Sequence, residues 1–453
     1  MKSKEIVRLG GGSAHGRDLL GPALELAESG EVDYLVFDCL SEKAIVDQEV
    51  SKLREGFGWD PYQDHRMRKI IPACAATGTK IITNMGAADP HGAARRTAQI
   101  CAELGLGHLK VMAVVGDNVS KVVQKLDPVV AETGQPVSSY GDKMIAAYGY
   151  ISCQGIVEAL RAGADIVVSG RVGDSPQFLA ALIYEFNWPS DNWDLLGRGL
   201  GIGHLIECAA QVTGGFFADP PYKVVQDLHR VGFPIALVEP NGDATITKLP
   251  GTGGLVSRQT VLEQLLYEIG DPADYKHTDA VVDFTTTEIT DVGPNRVRVV
   301  GTTGHAKPPT VKVCLGLDQG YMGIGRVMYG GGGAYERAQV TAKTIAARLE
   351  MQGVDVSKMR FDFEGVNALF PWKGREDSPA EVRLRVSGLF PTLEEAELIT
   401  FEMNAVASCT GASGTAWGRN LEGGTAEEIF GFYSTFIPQE EIWPEVIEVS
   451  GVV

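Results

Sequence analysis

The sequence is poor in cysteine for its length, and its basic residues are outnumbered by acidic ones. Its 453 residues include seven cysteines at scattered positions, none of them in a Cys-x-x-Cys pair. This spacing is typical of reduced thiols in an intracellular protein and argues against a disulfide framework or a structural zinc site. The net charge of −18 argues against a nucleic-acid or anionic-membrane surface, because both need basic patches.

Long apolar runs are also missing. No run approaches the roughly 20 residues that a membrane-spanning helix needs, and the first residues lack the apolar stretch of a secretory signal peptide. We therefore expect a cytoplasmic protein with no membrane partner. Apolar residues still make up 44% of the chain, which is enough for a sizeable core and, at this length, for two domains.

The first half of the chain alternates between short apolar runs and helix-like segments. Such alternation predicts an α/β fold in which a parallel sheet carries helices on both faces. Beyond about residue 214, strand-like segments follow one another with few helices between them, which predicts a smaller α+β domain. We place the two domains at residues 1–280 and 281–453.

Polar segments follow five of the predicted strands, at residues 10–17, 38–42, 84–89, 116–118 and 169–174. Open α/β sheets carry their chemistry at the carboxyl ends of the strands, so we expect these segments to converge on one enzyme pocket. The predicted substrate- and anion-binding residues in them are Gly10, Gly11, Gly12, Ser13, Arg17, Asn84, Asp117, Asn118, Ser169 and Arg171.

Two of these segments predict a specific anion contact. Gly10 to Ser13 are predicted to form a strand-to-helix turn whose N–H groups bind a phosphate or stabilise an enolate; the alternative is a tight turn without a ligand. Arg171 is predicted to clamp a substrate carboxylate, with Asp174 capping the next helix; the alternative is an ion pair between Arg171 and Asp174. Because the chain has neither a Gly-x-Gly-x-x-Gly nor a Walker A motif, we expect no NAD or ATP.

Four residues are candidates for proton transfer: His15, Asp38, His204 and Glu207. Asp38 ends a predicted strand, where a carboxylate can serve as a general base or a metal ligand. His204 and Glu207 are three residues apart, hence on one helix face, where they can bind a metal or pair a base with an acid. The alternative is a core histidine satisfied by Glu207. Whether a divalent metal is bound stays open at this point.

Several segments resemble the acyclic terpene utilisation family, the AtuA-type proteins. They are residues 8–13 (RLGGGS), 34–40 (YLVFDCL), 84–88 (NMGAA), 203–208 (GHLIEC), 211–215 (QVTGG) and 251–256 (GTGGLV). The resemblance implies a role in the catabolism of branched acyclic terpenes, in which carboxylated acyl-CoA thioesters are hydrated and cleaved. It also implies a small partner protein in many members, and it transfers no catalytic residue set.

Together these observations predict a lyase or hydro-lyase (hydratase) that acts on a small carboxylic acid or its CoA thioester, in a homo-oligomer. Asp38, with His15 or His204, is predicted to move protons next to the substrate carbonyl. The competing hypothesis is a non-catalytic binding or scaffold subunit that needs a small partner protein for activity.

Overall fold

The computed structural model describes residues 4–370, 379–406 and 423–449. The chain forms two compact units: Met1–Gly316 with Phe432–Val453, and Leu317–Gly431. The predicted boundary between residues 280 and 281 therefore falls inside the first unit.

The structure gives bounds for each helix and strand. The strands are β1 (Val7–Ser13), β2 (Tyr34–Phe37), β3 (Lys80–Thr83), β4 (Val111–Val115), β5 (Met144–Gly149), β6 (Ile166–Ser169), β7 (Pro234–Val238), β8 (Ala244–Lys248), β9 (Tyr275–Lys276), β10 (Val281–Asp283), β11 (Glu288–Gly293), β12 (Arg296–Val300), β13 (Thr303–His305), β14 (Thr310–Gly330), β15 (Arg360–Glu364), β16 (Glu381–Phe390), β17 (Gly423–Pro438) and β18 (Glu445–Val449). The helices are α1 (Gly21–Ser29), α2 (Glu42–Glu55), α3 (Gln63–Thr77), α4 (Pro90–Glu103), α5 (Ser120–Leu126), α6 (Gln154–Arg161), α7 (Pro176–Phe186), α8 (Trp193–Ile206), α9 (Arg258–Leu265), α10 (Ala334–Met351) and α11 (Leu393–Ala405).

The first unit is built on a ten-stranded sheet in the order β11-β12-β8-β7-β1-β2-β3-β6-β4-β18. Its five central strands, from β1 to β4 in that order, are parallel. Antiparallel strands extend the sheet on both sides. The α/β prediction is confirmed, and five strands from later in the chain, β7, β8, β11, β12 and β18, extend the sheet beyond its parallel centre.

Side chains along each strand point alternately to the two faces of this sheet. Because both sets are apolar, helices cover both faces. Tyr34 and Val36 belong to the core formed with α6, α7 and α8. Leu35 and Phe37 belong to the core formed with α1, α3 and α4. With both faces buried, the carboxyl ends of the parallel strands are left to form the functional site.

The glycines near the N-terminus lie inside β1, so the prediction of a glycine turn is wrong. Gly10 and Gly11 pair with β2 on one side, and Gly10 also pairs with β7 on the other. A Cβ atom on Gly11 would lie 2.3 Å from the Ile206 carbonyl oxygen at the end of α8. The glycine run therefore allows close packing of a helix end on the sheet.

The second unit contains the sheet order β15-β16-β14-β17. Its core includes Val327 and Leu384 from the sheet, with Ala338 of α10 and Ile399 of α11. This arrangement confirms the prediction of a smaller α+β part.

Candidate active site

A cavity of about 1070 Å³ lies at the carboxyl ends of the parallel strands of the first unit. Its lining includes the segments that follow β1, β2 and β6, and the end of α8. A volume of this size suits a small-molecule substrate. Five of the predicted site residues line it, namely His15, Arg17, Asp38, Arg171 and Glu207.

Asn84 and Asp117 lie behind the cavity and position residues that line it. The Asn84 side-chain nitrogen donates to Asp38 Oδ1 at 2.5 Å, and its oxygen accepts from the Cys39 N–H at 2.7 Å. Asp117 Oδ2 accepts from the Arg171 backbone N–H at 2.6 Å. The two residues therefore orient the cavity wall, and neither lines the cavity.

The remaining predicted residues also have partners within the protein. Ser13 Oγ donates to the Asp38 carbonyl oxygen at 3.0 Å, and Ser169 Oγ donates to the Thr83 carbonyl oxygen at 3.2 Å. Asn118 is exposed, and its side chain accepts from the Ser120 N–H at 3.2 Å. With Gly10, Gly11 and Gly12 held in β1, none of these residues lines the cavity.

Three carboxylates meet in the cavity, and we call Asp38, Asp174 and Glu207 the acidic triad. One oxygen from each lies within 4.8 Å of the other two. Burial raises the pKa of all three carboxyls, and the charge of Asp174 raises the pKa of Asp38 and Glu207 further. Three ionised carboxylates this close repel strongly, so the triad favours bound protons or a bound cation.

Carboxylate oxygens are the ligands that hard divalent cations prefer, so this donor set can hold Mg²⁺, Ca²⁺ or Mn²⁺. Among the described residues, the acidic triad is the group of acidic, histidine or cysteine side chains close enough together to share an ion. Arg171 would compete with such an ion for the Asp174 carboxylate, because Arg171 Nη1 lies 3.1 Å from Asp174 Oδ1.

Arg171 forms the ion pair with Asp174 that we weighed as the alternative to a substrate clamp. Its side chain is 2% exposed, Nη1 donates to the Leu40 carbonyl oxygen, and Nη2 donates to the Tyr150 hydroxyl at 2.5 Å. The guanidinium also lies 4.1 Å from the centre of the Tyr150 ring. The predicted capping role of Asp174 is wrong, since Ser175 occupies the N-cap position of α7 and makes no capping bond.

His204 is fully buried and contacts the acidic triad only through Glu207. Its Nδ1 lies 3.3 Å from Glu207 Oε1, and its Nε2 lies 3.2 Å from the Leu265 carbonyl oxygen. Burial lowers the pKa of His204 to about 4. The imidazole is therefore neutral at pH 7, with the proton on Nε2 facing Leu265 and the Nδ1 lone pair facing Glu207. His204 Nδ1 makes no hydrogen bond with the described residues, and Glu207 is the member of the triad that lies beside it.

The sequence matches the family described as acyclic terpene utilisation family protein AtuA over residues 7–447. The chain belongs to the AtuA family. The match confirms the resemblance seen in the short motifs and assigns this AtuA-family chain to acyclic terpene utilisation, a catabolic role. A search of curated proteins and a search of solved structures gave no match. Of the helices that the structure describes, none combines the length and the apolar character needed to cross a bilayer.

Sequence reasoning missed three polar residues of the AtuA-family cavity: Glu42, Tyr150 and Lys312. Lys312 Nζ lies 2.8 Å from Glu42 Oε1, and the Tyr150 hydroxyl donates to the same carboxylate at 2.5 Å. Although burial acts to raise it, the Arg171 charge and these hydrogen bonds hold the pKa of Glu42 at about 2. Glu42 ends one of the predicted polar segments, whereas Lys312 comes from a distant strand and carries no local signal.

The cysteines of the described residues are all free thiols: Cys39, Cys74, Cys101, Cys153, Cys208 and Cys314. Cys409 lies outside the described residues. Burial raises the pKa of Cys39 and Cys208, the two thiols nearest the acidic triad, so both favour the thiol over the nucleophilic thiolate.

Proposed function

We propose that this AtuA-family chain is a lyase or hydro-lyase that acts on a small carboxylic acid or its CoA thioester. The observation that carries the proposal is the acidic triad, with its oxygens within 4.8 Å in a substrate-sized cavity. Adding water to a carbon–carbon double bond, or cleaving a bond next to a carbonyl, needs a base and an acid beside the same substrate atoms. Neighbouring carboxyl groups with raised pKa values support both roles.

The environments of the triad suggest separate roles. A hydrogen bond to a carboxylate favours its ionised form, and Asp38 accepts one from Asn84 at 2.5 Å, closer than the 3.2 Å bond that Glu207 accepts from Ser175. We therefore assign Asp38 as the general base. Glu207 lies against the neutral His204 nitrogen, which can accept its proton in a hydrogen bond, so we assign Glu207 as the general acid. Asp174 is held by Arg171 at the side of the triad.

A divalent cation held by the acidic triad would act as a Lewis acid toward the substrate carbonyl. The oxygen-only donor set supports this part of the proposal. With or without a cation, Asn84 orients Asp38 and Ser175 orients Glu207, each through a hydrogen bond to the carboxylate.

Arg17 replaces Arg171 in our proposal as the residue that binds the substrate carboxylate. It lines the cavity and is exposed, and it forms no ion pair with any residue that the structure describes. His15, next to it, lines the same side of the cavity. Arg171 is less suited because two of its nitrogens already donate to protein oxygens.

The test is turnover of branched carboxylated thioesters by the purified chain. 3-Methylglutaconyl-CoA reports hydration, and 3-hydroxy-3-methylglutaryl-CoA reports cleavage, each with EDTA and with Mg²⁺ or Mn²⁺. We expect turnover of at least one probe, with a loss of 10²-fold or more in Asp38→Asn, as for removal of a general base (roughly 10²–10⁴-fold). The matched control is Glu350→Gln, an exposed change on α10 that should leave turnover unchanged.

Two outcomes would decide against this proposal. Full activity in Asp38→Asn and in Glu207→Gln would remove the acidic triad from the chemistry. Turnover that appears only after a small partner protein is added would favour the alternative of a binding or scaffold subunit. The partner, the homo-oligomer and the cytoplasmic location all stay predictions.

A further inference from the structure

The segment that follows β1 forms a tight turn from Ala14 to Asp18, which we call the His15 turn. The Asp18 carboxylate accepts from the Ala14 N–H at 2.8 Å, and the Asp18 N–H donates to the His15 carbonyl oxygen at 3.1 Å. From α3, Arg66 Nη2 donates to the Gly16 carbonyl oxygen at 2.9 Å. These bonds fix the course of the backbone and occupy the carbonyl oxygens of His15 and Gly16.

His15 and Arg17 are the exposed residues of the His15 turn, and both line the cavity of the acidic triad. The Arg17 guanidinium forms no ion pair with any residue that the structure describes, and it lies 5.7 Å from the centre of the Tyr62 ring. A guanidinium has several N–H donors and no acceptor. Arg17 therefore offers the cavity hydrogen-bond donors only.

A hydrogen bond inside the turn also makes His15 a donor. The Arg17 backbone N–H donates to His15 Nδ1 at 3.2 Å. A ring nitrogen that accepts this bond carries no proton, so the imidazole proton lies on Nε2. His15 Nε2 has no hydrogen-bond partner in the part of the chain that the structure describes. The nitrogen that could take up a proton is occupied, and the nitrogen that is left free can only donate.

An acidic residue, Asp60, packs against the same turn. A Cβ atom on Gly16 would lie 2.3 Å from Asp60 Oδ2, and Asp60 Oδ1 accepts from the Tyr62 N–H at 2.7 Å. Within the described residues, Asp60 makes no hydrogen bond or ion pair with the side chain of His15 or of Arg17. Both donors therefore remain available to a ligand.

We propose that His15 binds a carboxylate oxygen of the substrate by donating a hydrogen bond from Nε2, beside Arg17. This proposal rests on the proposed function, in which Arg17 binds the substrate carboxylate. An ionised carboxylate is an acceptor only, which matches a turn whose two exposed side chains offer only donors. His15 is then a substrate-binding residue, in place of the proton-transfer role predicted from the sequence.

Calorimetric titration of the full chain with 3-methylglutarate, an unreactive branched dicarboxylate, tests the proposal. His15→Asn keeps an acceptor for the Arg17 N–H but has no donor at the position of Nε2. We expect binding at least about 10-fold weaker, as for loss of a hydrogen bond to a charged group. His15→Gln carries its amide N–H one carbon farther out, near the position of Nε2, and should recover most of the binding. His108→Asn, which changes an exposed histidine outside the cavity lining, is the matched control and should bind like the wild type.

A purely structural role for His15 predicts the opposite order of the two variants. His15→Asn would then bind like the wild type, because it keeps the acceptor inside the turn, and His15→Gln would bind weakly. That order, or unchanged binding in both variants, overturns the proposal, whereas weaker binding in Arg17→Gln would still support the role of Arg17 in the proposed function. No binding by the wild type, or binding that depends on neither residue, overturns both roles and leaves the acidic triad to be tested by turnover in Asp38→Asn.

Discussion

Glu207→Gln should remove one negative charge from the acidic triad while keeping its shape. The new amide N–H can donate to His204 Nδ1, which lies 3.3 Å from Glu207 Oε1. The amide oxygen can still accept from Ser175 Oγ, as Glu207 Oε2 does at 3.2 Å. The Ser175 bond persists, and His204 Nδ1, which has no hydrogen-bond partner among the described residues of the wild type, gains a donor. The pH-dependent part of the change in the free energy of unfolding is therefore electrostatic.

The sign of that change follows from the raised pKa of Glu207 in the folded chain. A raised carboxyl pKa gives stability that is fully present below the unfolded value, about 4.3, and is lost as the pH rises through the folded value. Because glutamine does not titrate, the variant Glu207→Gln does not lose this stability as the pH rises. Each pH unit above the unfolded pKa is worth at most about 1.4 kcal/mol, so the variant should be more stable by up to about 1 kcal/mol at pH 5 and by up to about 5 kcal/mol at pH 8.

Coulomb repulsion in the acidic triad is large enough to produce this effect. Two unit charges 4.8 Å apart interact by about 3.5 kcal/mol at an effective dielectric constant of about 20. Repulsion from one ionised neighbour of Glu207 is therefore more than half of the largest stability difference expected at pH 8. The cost of burying the Glu207 charge adds to this repulsion.

The assay is urea unfolding of the wild type and Glu207→Gln at pH 5 and pH 8, first in EDTA and then with saturating Mg²⁺ or Mn²⁺. In EDTA, we expect the stability difference to favour the variant and to grow with pH. A bound cation should reverse the order at pH 8, because it stabilises only the intact triad. A variant less stable than the wild type at pH 8 in EDTA, or a difference independent of pH, would refute the reasoning. Glu350→Gln, which is exposed, should show no such trend.

Local signals in the sequence predicted the parts of the fold that depend on neighbouring residues. Ser41 caps α2 by accepting from the Ala44 N–H at 3.2 Å, and Asp89 caps α4 by accepting from the Gly92 N–H at 3.0 Å. Serine and aspartate just before a helix-like segment indicate such caps from the sequence alone. The apolar runs marked the central strands because parallel strands are buried on both faces. Since each of these features involves residues a few positions apart, the sequence alone was sufficient to predict them.

Features that depend on distant residues were not predicted. β12 pairs with β8, and β18 pairs with β4 across more than half of the chain, so no local pattern showed that they extend the main sheet. Lys312 reaches the cavity from β14, and its ion pair with Glu42 joins residues 270 positions apart. Contacts between distant parts of the chain place both these strands and Lys312.

The residues of the candidate site divide in the same way, into those that a local signal predicts and those that only the fold reveals. The sequence selects Asp38 because it ends a predicted strand, and Glu207 because it lies three residues from His204 on one helix face. Both residues line the cavity. The sequence predicts a cap at Asp174, because an acidic residue just before a helix fits that role equally well. Only the three-dimensional arrangement shows that its carboxylate faces Arg171 and the other members of the acidic triad.

Three further predictions follow from the structure. Arg171→Lys keeps the charge but loses the planar donor set buried against Leu40 and Tyr150, so it should lower the free energy of unfolding by about 2–4 kcal/mol, measured by urea titration. Thiol titration of freshly prepared, denatured protein should approach seven thiols, and five or fewer would contradict reduced cysteines. Gly11→Ala should be disruptive, because its Cβ would lie 2.3 Å from the Ile206 carbonyl oxygen, a contact that requires α8 to move. We expect a loss of at least about 1–3 kcal/mol, the usual range for an overpacked core. Gly21→Ala, where a Cβ has open space, is the matched control, and equal melting temperatures for the two variants would show that β1 and α8 are not packed as closely as described here.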